Sequence, residues 1–414
     1  MADSAPRPHG RAAFLFIFIT VALDMLALGV SVPVLPRLLE QFEGGNTAAA
    51  TEMNGWFGFA FATMQFIFAP LLGALSDRFG RRPLLLLSNL GLGADYLFMA
   101  LAPALPWLFA GRLISGVTSA SWPLGSAYVA DITPEEERAK KFGLLASSFG
   151  IGFVVGPVVG GVLGDIDLRL PFYVASGLSL ANFLYGLIVL PESLPDHLRA
   201  KVDLKKANPV GALRLMGSHP ELLGLGAAFF LYGLAHVALP AVFVLYTKYR
   251  YGWNGMLTGG VLAVVGVSSA VVGAALVGPM VKRLGDRRGL VLGLGMAGAG
   301  FFIYALAANT ATFIAGIPVM ALMGLVMPTN NALMSRRVGP SEQGALQGAL
   351  GSLRGITEMI GPVLFSQSLA WAIQSRAAAP LIGAPFLIAG TMLLMSALIS
   401  WRVTAGSDAV AATS

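Results

Sequence analysis

Two stretches of the sequence repeat one design 205 residues apart. Residues 73–87 and 278–292 each place several charges and a glycine between two long apolar runs, which is typical of a tight loop between two membrane helices. The matched positions are Gly73, Arg78, Gly80 and Arg82 in the first copy and Gly278, Arg283, Gly285 and Arg287 in the second. One half of the chain is therefore expected to be a copy of the other.

The composition excludes a water-soluble globular protein. Of 414 residues, 56% are hydrophobic and 12% are charged, and the mean hydropathy is +0.74. Apolar segments of about 20 residues, each long enough to cross a hydrocarbon layer of about 30 Å as a helix, recur along the chain. They predict an all-α polytopic membrane protein with twelve transmembrane helices. The segments are 12–37, 52–75, 83–103, 106–130, 141–165, 171–191, 220–248, 255–281, 289–308, 311–335, 343–371 and 381–402.

Lysine and arginine are distributed by membrane side. Of the 27 basic residues, 20 lie in the two termini and in the loops after segments 2, 4, 6, 8 and 10. By the positive-inside rule, both termini are expected to be cytoplasmic. The net charge of +6 thus indicates topology rather than nucleic-acid binding. The absence of cysteine excludes disulfides, thiol chemistry and cysteine-ligated metals.

Three charged residues lie inside apolar segments of the first half. Asp24 is near the middle of the first segment, and Asp95 and Arg112 are at similar depths in the third and fourth. A charge at the centre of a membrane helix costs about 2.5–3.5 kcal/mol on insertion scales, so a function is the default interpretation. Structural alternatives stay open: Asp24 could pair with a neighbouring helix, and Asp95 with Arg112.

The second half has a different set of polar residues in its segments. His236 lies in the seventh segment, where no counterpart of Asp24 is found, and Asn330 and Asn331 lie in the tenth. Arg354 and Glu358 are four apart in the eleventh and therefore share one helix face. These side chains are candidates for contacts with a polar ligand, although a structural histidine and amides bonded to a neighbouring helix are alternatives.

Two six-helix halves joined by a linker suit transport by alternating access. The predicted division is a first bundle at 1–191, a cytoplasmic linker at 192–219 and a second bundle at 220–414. The sequence has no phosphate-binding Gly-x-x-x-x-Gly-Lys-Ser/Thr loop and no soluble nucleotide-binding domain. An ion gradient is then the expected energy source. The candidate proton-coupling residues are Asp24, Asp95 and Glu358.

The loop at 73–87 resembles the signature between helices 2 and 3 of the major facilitator superfamily. In that family the signature latches the two halves in one state, which implies the same role here for Gly73, Asp77, Arg78, Gly80, Arg81 and Arg82. The glycines of the fifth segment match every fixed position of the superfamily's antiporter motif. Those positions are Gly143, Gly152, Gly156, Pro157, Gly160 and Gly161. Close packing of small residues also predicts that this helix is an interface or a hinge.

Within the superfamily, most of the chain is similar to the tetracycline/proton antiporters. Residues 64–70, 95–97, 111–118 and 343–348 carry this resemblance. It implies functional roles for Asp24, Asp95 and Arg112 and a substrate contact for Gln65. The second half departs from that group, because Ser269 and Ala297 stand where the group has a histidine and an aspartate.

The resulting hypothesis is a proton-coupled exporter of amphipathic drug-like molecules in a bacterial inner membrane, with tetracycline the best single candidate. It is expected to work as a monomer, without a cofactor, a metal site or a nucleic-acid partner; a tetracycline would arrive as its divalent metal chelate. The predicted substrate-binding residues are Gln65, Arg112, His236, Asn330, Asn331 and Arg354. A sugar or metabolite symporter on the same fold is the main alternative, and a receptor or an enzyme is disfavoured.

Overall fold

Twelve long helical segments form the protein. The computed structural model describes residues 10–199, 213–376 and 378–405, and every regular element in these ranges is a helix. The segments are α1 Gly10–Ser31, α2 Thr47–Phe79, α3 Arg81–Leu101, α4 in two parts (Leu105–Thr118 and Ser121–Ile132), α5 Glu135–Ile166, α6 Leu170–Val189, α7 Pro220–Tyr251, α8 and α9 within Gly255–Leu306, α10 Thr310–Ser335, α11 Gln343–Gln374 and α12 Ala384–Val403.

Nine stretches of the described residues are long and apolar enough to cross a membrane by themselves. One of these stretches, Gly255–Leu306, contains both α8 and α9. The two remaining helices are less obvious: α4 is interrupted at 119–120, and α11 contains Arg354 and Glu358. The prediction of an all-α, twelve-helix membrane fold is confirmed.

The repeated loop has the same backbone in both halves. Gly80 joins α2 to α3 with φ +102° and ψ 159°, and Gly285 divides α8 from α9 with φ +73° and ψ 168°. Residues with a Cβ rarely adopt such positive φ values, which explains why glycine stands at both positions. The internal repeat inferred from the sequence is therefore a structural repeat.

Each half has its own hydrophobic core. In the second half, aromatic rings dominate: Tyr304 stacks on Phe313 with ring centroids 4.4 Å apart, and Tyr246 meets Phe386 edge-on at 4.8 Å. Two smaller apolar clusters fill the first half. The division at 1–191, 192–219 and 220–414 remains a prediction, because residues 200–212 of the linker lie outside the described residues.

Helix α5 lies between α1 and α8, as expected of an interface helix. A Cβ at Gly156 would come within 2.6 Å of the Gly29 backbone on α1. On another face, a Cβ at Gly161 or at Gly259 would collide with the backbone of the facing helix. Without side chains at these positions, the backbones approach closely, which is the main source of helix association in lipid.

The two halves touch at one end of the molecule and separate at the other. We call the end with the loops α2–α3 and α8–α9 the basic end. On α5, Pro157 and Gly161 contact α8, whereas Gly143 and Gly150, on the same face but nearer the basic end, would meet nothing within 4 Å. The other three interface helices have such open positions too, at Gly73, Gly273, Gly278, Gly344 and Gly351. The space between the halves therefore opens at the basic end.

At the opposite end, polar contacts join the halves. Lys248 at the end of α7 lies 2.5 Å from the carboxylate of Glu40, in the short helix Leu35–Phe42. Asp165 accepts hydrogen bonds from the backbone N–H groups of Gly255 and Met256 at 2.9 and 2.8 Å, so it caps α8 from the other half. Arg37 lies 2.8 Å from the same carboxylate. These contacts close this end of the molecule.

Two substitutions in α5 test the role of close packing. We expect Gly156→Leu to destabilise the protein by about 1–3 kcal/mol, because the new side chain must push α1 away. The matched variant Gly143→Leu has free space around its Cβ and should have a melting temperature close to that of the original protein. Thermal unfolding in detergent measures both, and equal losses would contradict this account of the α1–α5 contact.

Candidate functional site

The first half contains a buried polar site between α1, α3 and α4. The side chains of Asp24 and Asp95 are almost fully enclosed, with residues 4% and 1% exposed. Ser115 donates a hydrogen bond to Asp95, and Ser121 lies beside Asp24. The remaining Oδ1 atom of each aspartate has no hydrogen-bond partner among the described residues. Such unpaired buried oxygens are costly and are commonly explained by a functional need.

Arg112 joins this site without forming the ion pair that the sequence left open. Its guanidinium carbon lies 4.4 Å from the centroid of the Phe61 ring, a cation–π contact. No salt bridge connects it to Asp95 in the described part of the chain, and its Nε is unpartnered. A cavity of about 20 Å³ is lined by Asp24, Tyr96 and Arg112, among others. This volume suffices for about one water molecule.

An interruption of α4 positions this site. The helix stops at Thr118 and restarts at Ser121, which leaves backbone groups without helical partners. Ser88 on α3 donates to the Thr118 carbonyl at 2.5 Å and lies 3.0 Å from the Ser121 hydroxyl. Gln65 on α2 lies 3.4 Å from Ser119 in the same break. The predicted residues Gln65, Asp24, Asp95 and Arg112 thus come together around one irregular helix.

The second half brings together three other predicted residues. Arg354 and Glu358 form an ion pair at 2.9 Å, with side chains 63% and 38% exposed. Exposure this deep in the bundle means that they face the open space between the halves. The His236 side chain is also exposed and lies within electrostatic reach of both. Proton transfer by Glu358 and ligand contacts by His236 and Arg354 remain predictions.

The two amides of α10 do not join this group. Asn330 is only 1% exposed, and its amide nitrogen lies 3.2 Å from the sulfur of Met334 on its own helix. Asn331 has an unpartnered, buried Oδ1. Neither amide lines the described cavities of the protein. Their contact with substrate remains a prediction.

Three of the predicted latch residues, Asp77, Arg81 and Arg82, form a network within the first half, whereas Arg78 is exposed and lies over the Phe79 ring. Arg81 lies 2.5 Å from Asp77 and 3.1 Å from Asp131 at the end of α4. Glu192 accepts hydrogen bonds from the backbone N–H groups of Arg81 and Arg82 at 2.8 and 3.2 Å and so caps α3. The cluster braces the ends of α2, α3 and α4, and the interface position Gly73 beside it is open in this conformation.

The second half repeats one ion pair of this network with opposite charges. Asp77, Arg81 and Asp131 have their counterparts 205 positions later in Lys282, Asp286 and Arg336. The Asp286–Arg336 ion pair measures 2.6 Å and takes the place of the Arg81–Asp131 pair. The position of this pair is thus preserved, while the charges at all three positions are reversed.

Sequence reasoning did not single out several of these partners. Asp131 could have been found from the repeat, since its counterpart Arg336 follows at the common offset of 205. Glu192, Asp165 and the Glu40–Lys248 pair lie at helix ends and make contacts over 90 to 208 residues of sequence. No local pattern predicts contacts of that kind. In the described ranges, no group of acidic and histidine residues could hold a metal ion.

The two helical bundles meet at one end, and charged side chains are buried among apolar helices of the first half. This architecture is that of a polytopic membrane transporter. Residues 17–362 match the sequence pattern of the Major Facilitator Superfamily, and the chain belongs to that family. It is 39% identical to the class C tetracycline resistance protein of Escherichia coli, covering 85% of this chain and 88% of that protein. The class G protein of Vibrio anguillarum is 37% identical, covering 86% and 90%.

Solved structures support the same fold. The human organic anion transporter MFSD10 (TETRAN) aligns with a TM-score of 0.70 at 23% identity, covering 95% of this chain and 100% of that one. A bacterial homologue of the human lysosomal transporter Spinster, in an inward-facing conformation, aligns with a TM-score of 0.74 at 16% identity, covering 97% and 98%. At these identities the likeness concerns the fold alone.

Charge reversal tests the latch network. We expect Asp131→Arg to destabilise the protein by about 1–3 kcal/mol, because it places two guanidinium groups together in a partly buried position. Adding Asp77→Lys and Arg81→Asp copies the charges of the second half and should restore most of the loss. Thermal unfolding in detergent measures the effect.

The control for this series is Asp196→Arg, which also opposes a guanidinium, that of Arg199 at 2.8 Å, but at a side chain that is 88% exposed, where such pairs contribute little. It should leave the melting temperature nearly unchanged. If the triple variant were no more stable than Asp131→Arg alone, the two networks would not be equivalent.

Proposed function

We propose that this protein exports amphipathic drug-like molecules in exchange for protons, with tetracycline as the leading candidate. The observation that carries the proposal is the 39% identity, over 85% of the chain, to a tetracycline resistance protein. The buried aspartates of the first half supply groups suited to carry protons. We place the protein in a bacterial inner membrane with both termini in the cytoplasm, acting as a monomer without a nucleic-acid partner.

Alternating access follows from the arrangement of the halves. In the present conformation the contacts of Glu40 with Lys248 and of Asp165 with α8 close one end, while the basic end is open. With basic loops in the cytoplasm, this conformation receives substrate from the cytoplasm. Breaking these contacts and bringing the basic ends of α2, α5, α8 and α11 together would open the site to the other side. The latch network then meets the opposite half.

Proton coupling needs a carboxyl group that meets water from alternate sides. Asp24 is suited to this role because it lines a cavity that admits about one water molecule, and both Asp24 and Asp95 have an unpartnered, buried oxygen. A proton on either carboxyl removes a negative charge near Arg112. The balance of charge around the α4 break then changes, and the preferred conformation can change with it. Glu358 remains a second candidate for the same task.

No enzymatic step is part of this proposal. The protein would move its substrate unchanged and needs no cofactor of its own. If the substrate is a tetracycline, the divalent cation would come chelated to the drug. The cation is then part of the cargo rather than of the protein.

Tetracycline accumulation in energised cells tests both halves of the proposal. We expect cells with the original protein to accumulate several-fold less drug than cells with an empty vector, and an uncoupler should abolish the difference. Asp24→Asn and Asp95→Asn should each behave like the empty vector, because an amide cannot carry the proton. Glu135→Gln, at an exposed position at the start of α5, is the matched control and should behave like the original protein.

The outcomes separate the parts of the proposal. Low accumulation that persists in both asparagine variants would exclude proton coupling through these carboxyls. Accumulation that exceeds the empty-vector level would indicate uptake and would favour the symporter alternative. Inverted vesicles that release no protons on adding tetracyclines would rule out tetracycline/proton exchange itself.

A further inference from the structure

The internal repeat relates two cavities of very different size. The second-half cavity has a volume of about 260 Å³ and lies between α7, α8, α9 and α10. Three of its lining positions lie 205 residues after lining positions of the 20 Å³ cavity in the first half. Tyr96, Ser115 and Ser119 correspond in this way to Phe301, Met320 and Gly324. The two cavities therefore occupy equivalent positions in the two halves.

The two cavities also differ in the charge of the residues at matched positions around them. In the first half this place is occupied by two carboxylates and a guanidinium. In the second half, Asp95 is replaced by Gly300 and Arg112 by Ile317, and the place of Asp24 falls on Ala228 or Phe229. At Gly300 helix α10 packs against the backbone, since a Cβ there would lie 2.7 Å from the Cβ of Met320. The first-half cavity is small and is lined by the charged residues Asp24 and Arg112. The second-half cavity is larger and is lined by no Asp, Glu, Lys or Arg.

The lining of the larger cavity is adaptable. Met320, Met323 and Met327 contribute thioether side chains, and Phe301 contributes an aromatic wall. Methionine is flexible and polarisable, so such a wall adjusts to ring systems of different outline. A cavity of this kind suits apolar groups of varied shape better than one fixed polar molecule.

Three polar side chains line the same cavity and have no hydrogen-bond partner in the described ranges. Tyr232, His236 and Ser269 make no side-chain hydrogen bond to any other residue in the described ranges. The Arg354–Glu358 pair lies close by, within electrostatic reach of His236. A ligand in the cavity would therefore find an apolar interior, hydrogen-bonding groups on the wall and a charged pair beside it.

We propose that the second-half cavity binds the ring portion of the exported molecule, while the first-half cavity admits only water and protons. The inference rests on the proposed export function and assigns the two tasks to different halves. The ligand class is an amphiphile with an uncharged aromatic or alicyclic ring system and a polar edge that faces Arg354 and Glu358. A volume of about 260 Å³ lies just below the usual range for whole drug-sized ligands, about 300–1,000 Å³, so part of the ligand stays in the open space.

The chain offers a direct test, because it contains no cysteine. Ser269→Cys replaces one hydroxyl by a thiol at the cavity wall, and the protein has no other thiol to react. The experiment follows the rate of alkylation by N-ethylmaleimide in proteoliposomes, with and without magnesium–tetracycline. At a drug concentration about ten times its Kd, bound ligand should slow the reaction of this thiol about tenfold.

Two control variants fix the interpretation. Ser268 precedes Ser269 on the same helix but does not line the cavity. The alkylation rate of Ser268→Cys should therefore not respond to the drug. Ser119→Cys lies in the small first-half cavity and should react slowly with and without the drug, because there is no room for either compound. A further variant, Ser269→Phe, fills the cavity and should raise the KM for transport with less effect on kcat.

Export by the original protein, measured in the same preparation, separates the two proposals. Export without protection of Ser269→Cys, or with equal protection of Ser119→Cys, would overturn the division of tasks and leave the exporter proposal standing. Protection without export would support the binding cavity and overturn the exporter proposal. Neither export nor protection would overturn both.

Discussion

The close approach of helix backbones at the closed end is the constraint on which this structure depends. In lipid there is little hydrophobic force between helices, so association depends on packing and on polar contacts. Glycines at 156, 161 and 259 allow α1, α5 and α8 to touch backbone to backbone. Asp165 adds a carboxylate that caps α8 across the interface. Alternating access, as proposed, would rotate the halves around this point while each keeps its own core.

The repeat supplies two copies of one scaffold, and the side chains at matched positions have diverged. At matched places between their helices, the first half holds Asp95 and Arg112 and the second holds Gly300 and Ile317. A transporter that couples two ligands must keep a proton site and a substrate site apart and still link them through one motion. Two half-bundles with equivalent cavities meet that need, because a rotation of the halves changes access to both cavities at once.

At the basic end, the repeat keeps the positions of an ion pair but not the signs of its charges. The Arg81–Asp131 and Asp286–Arg336 pairs keep the same positions with reversed charges, at 3.1 and 2.6 Å. Either arrangement braces a loop against the end of a helix, since attraction does not depend on which partner is positive. The turn glycines 80 and 285, by contrast, are kept as glycine because their φ values are positive.

The sequence by itself determined the class of fold, the repeat and the buried charges of the first half. Those features depend on local composition: apolar length, glycine spacing, and an aspartate where water is absent. It could not determine that Arg112 stacks on Phe61 instead of pairing with Asp95, or that Asn330 turns toward its own helix. It also could not give the closed end or the cavity at Ser269. These depend on contacts between distant helices, and only tertiary packing decides which faces meet and how much space remains.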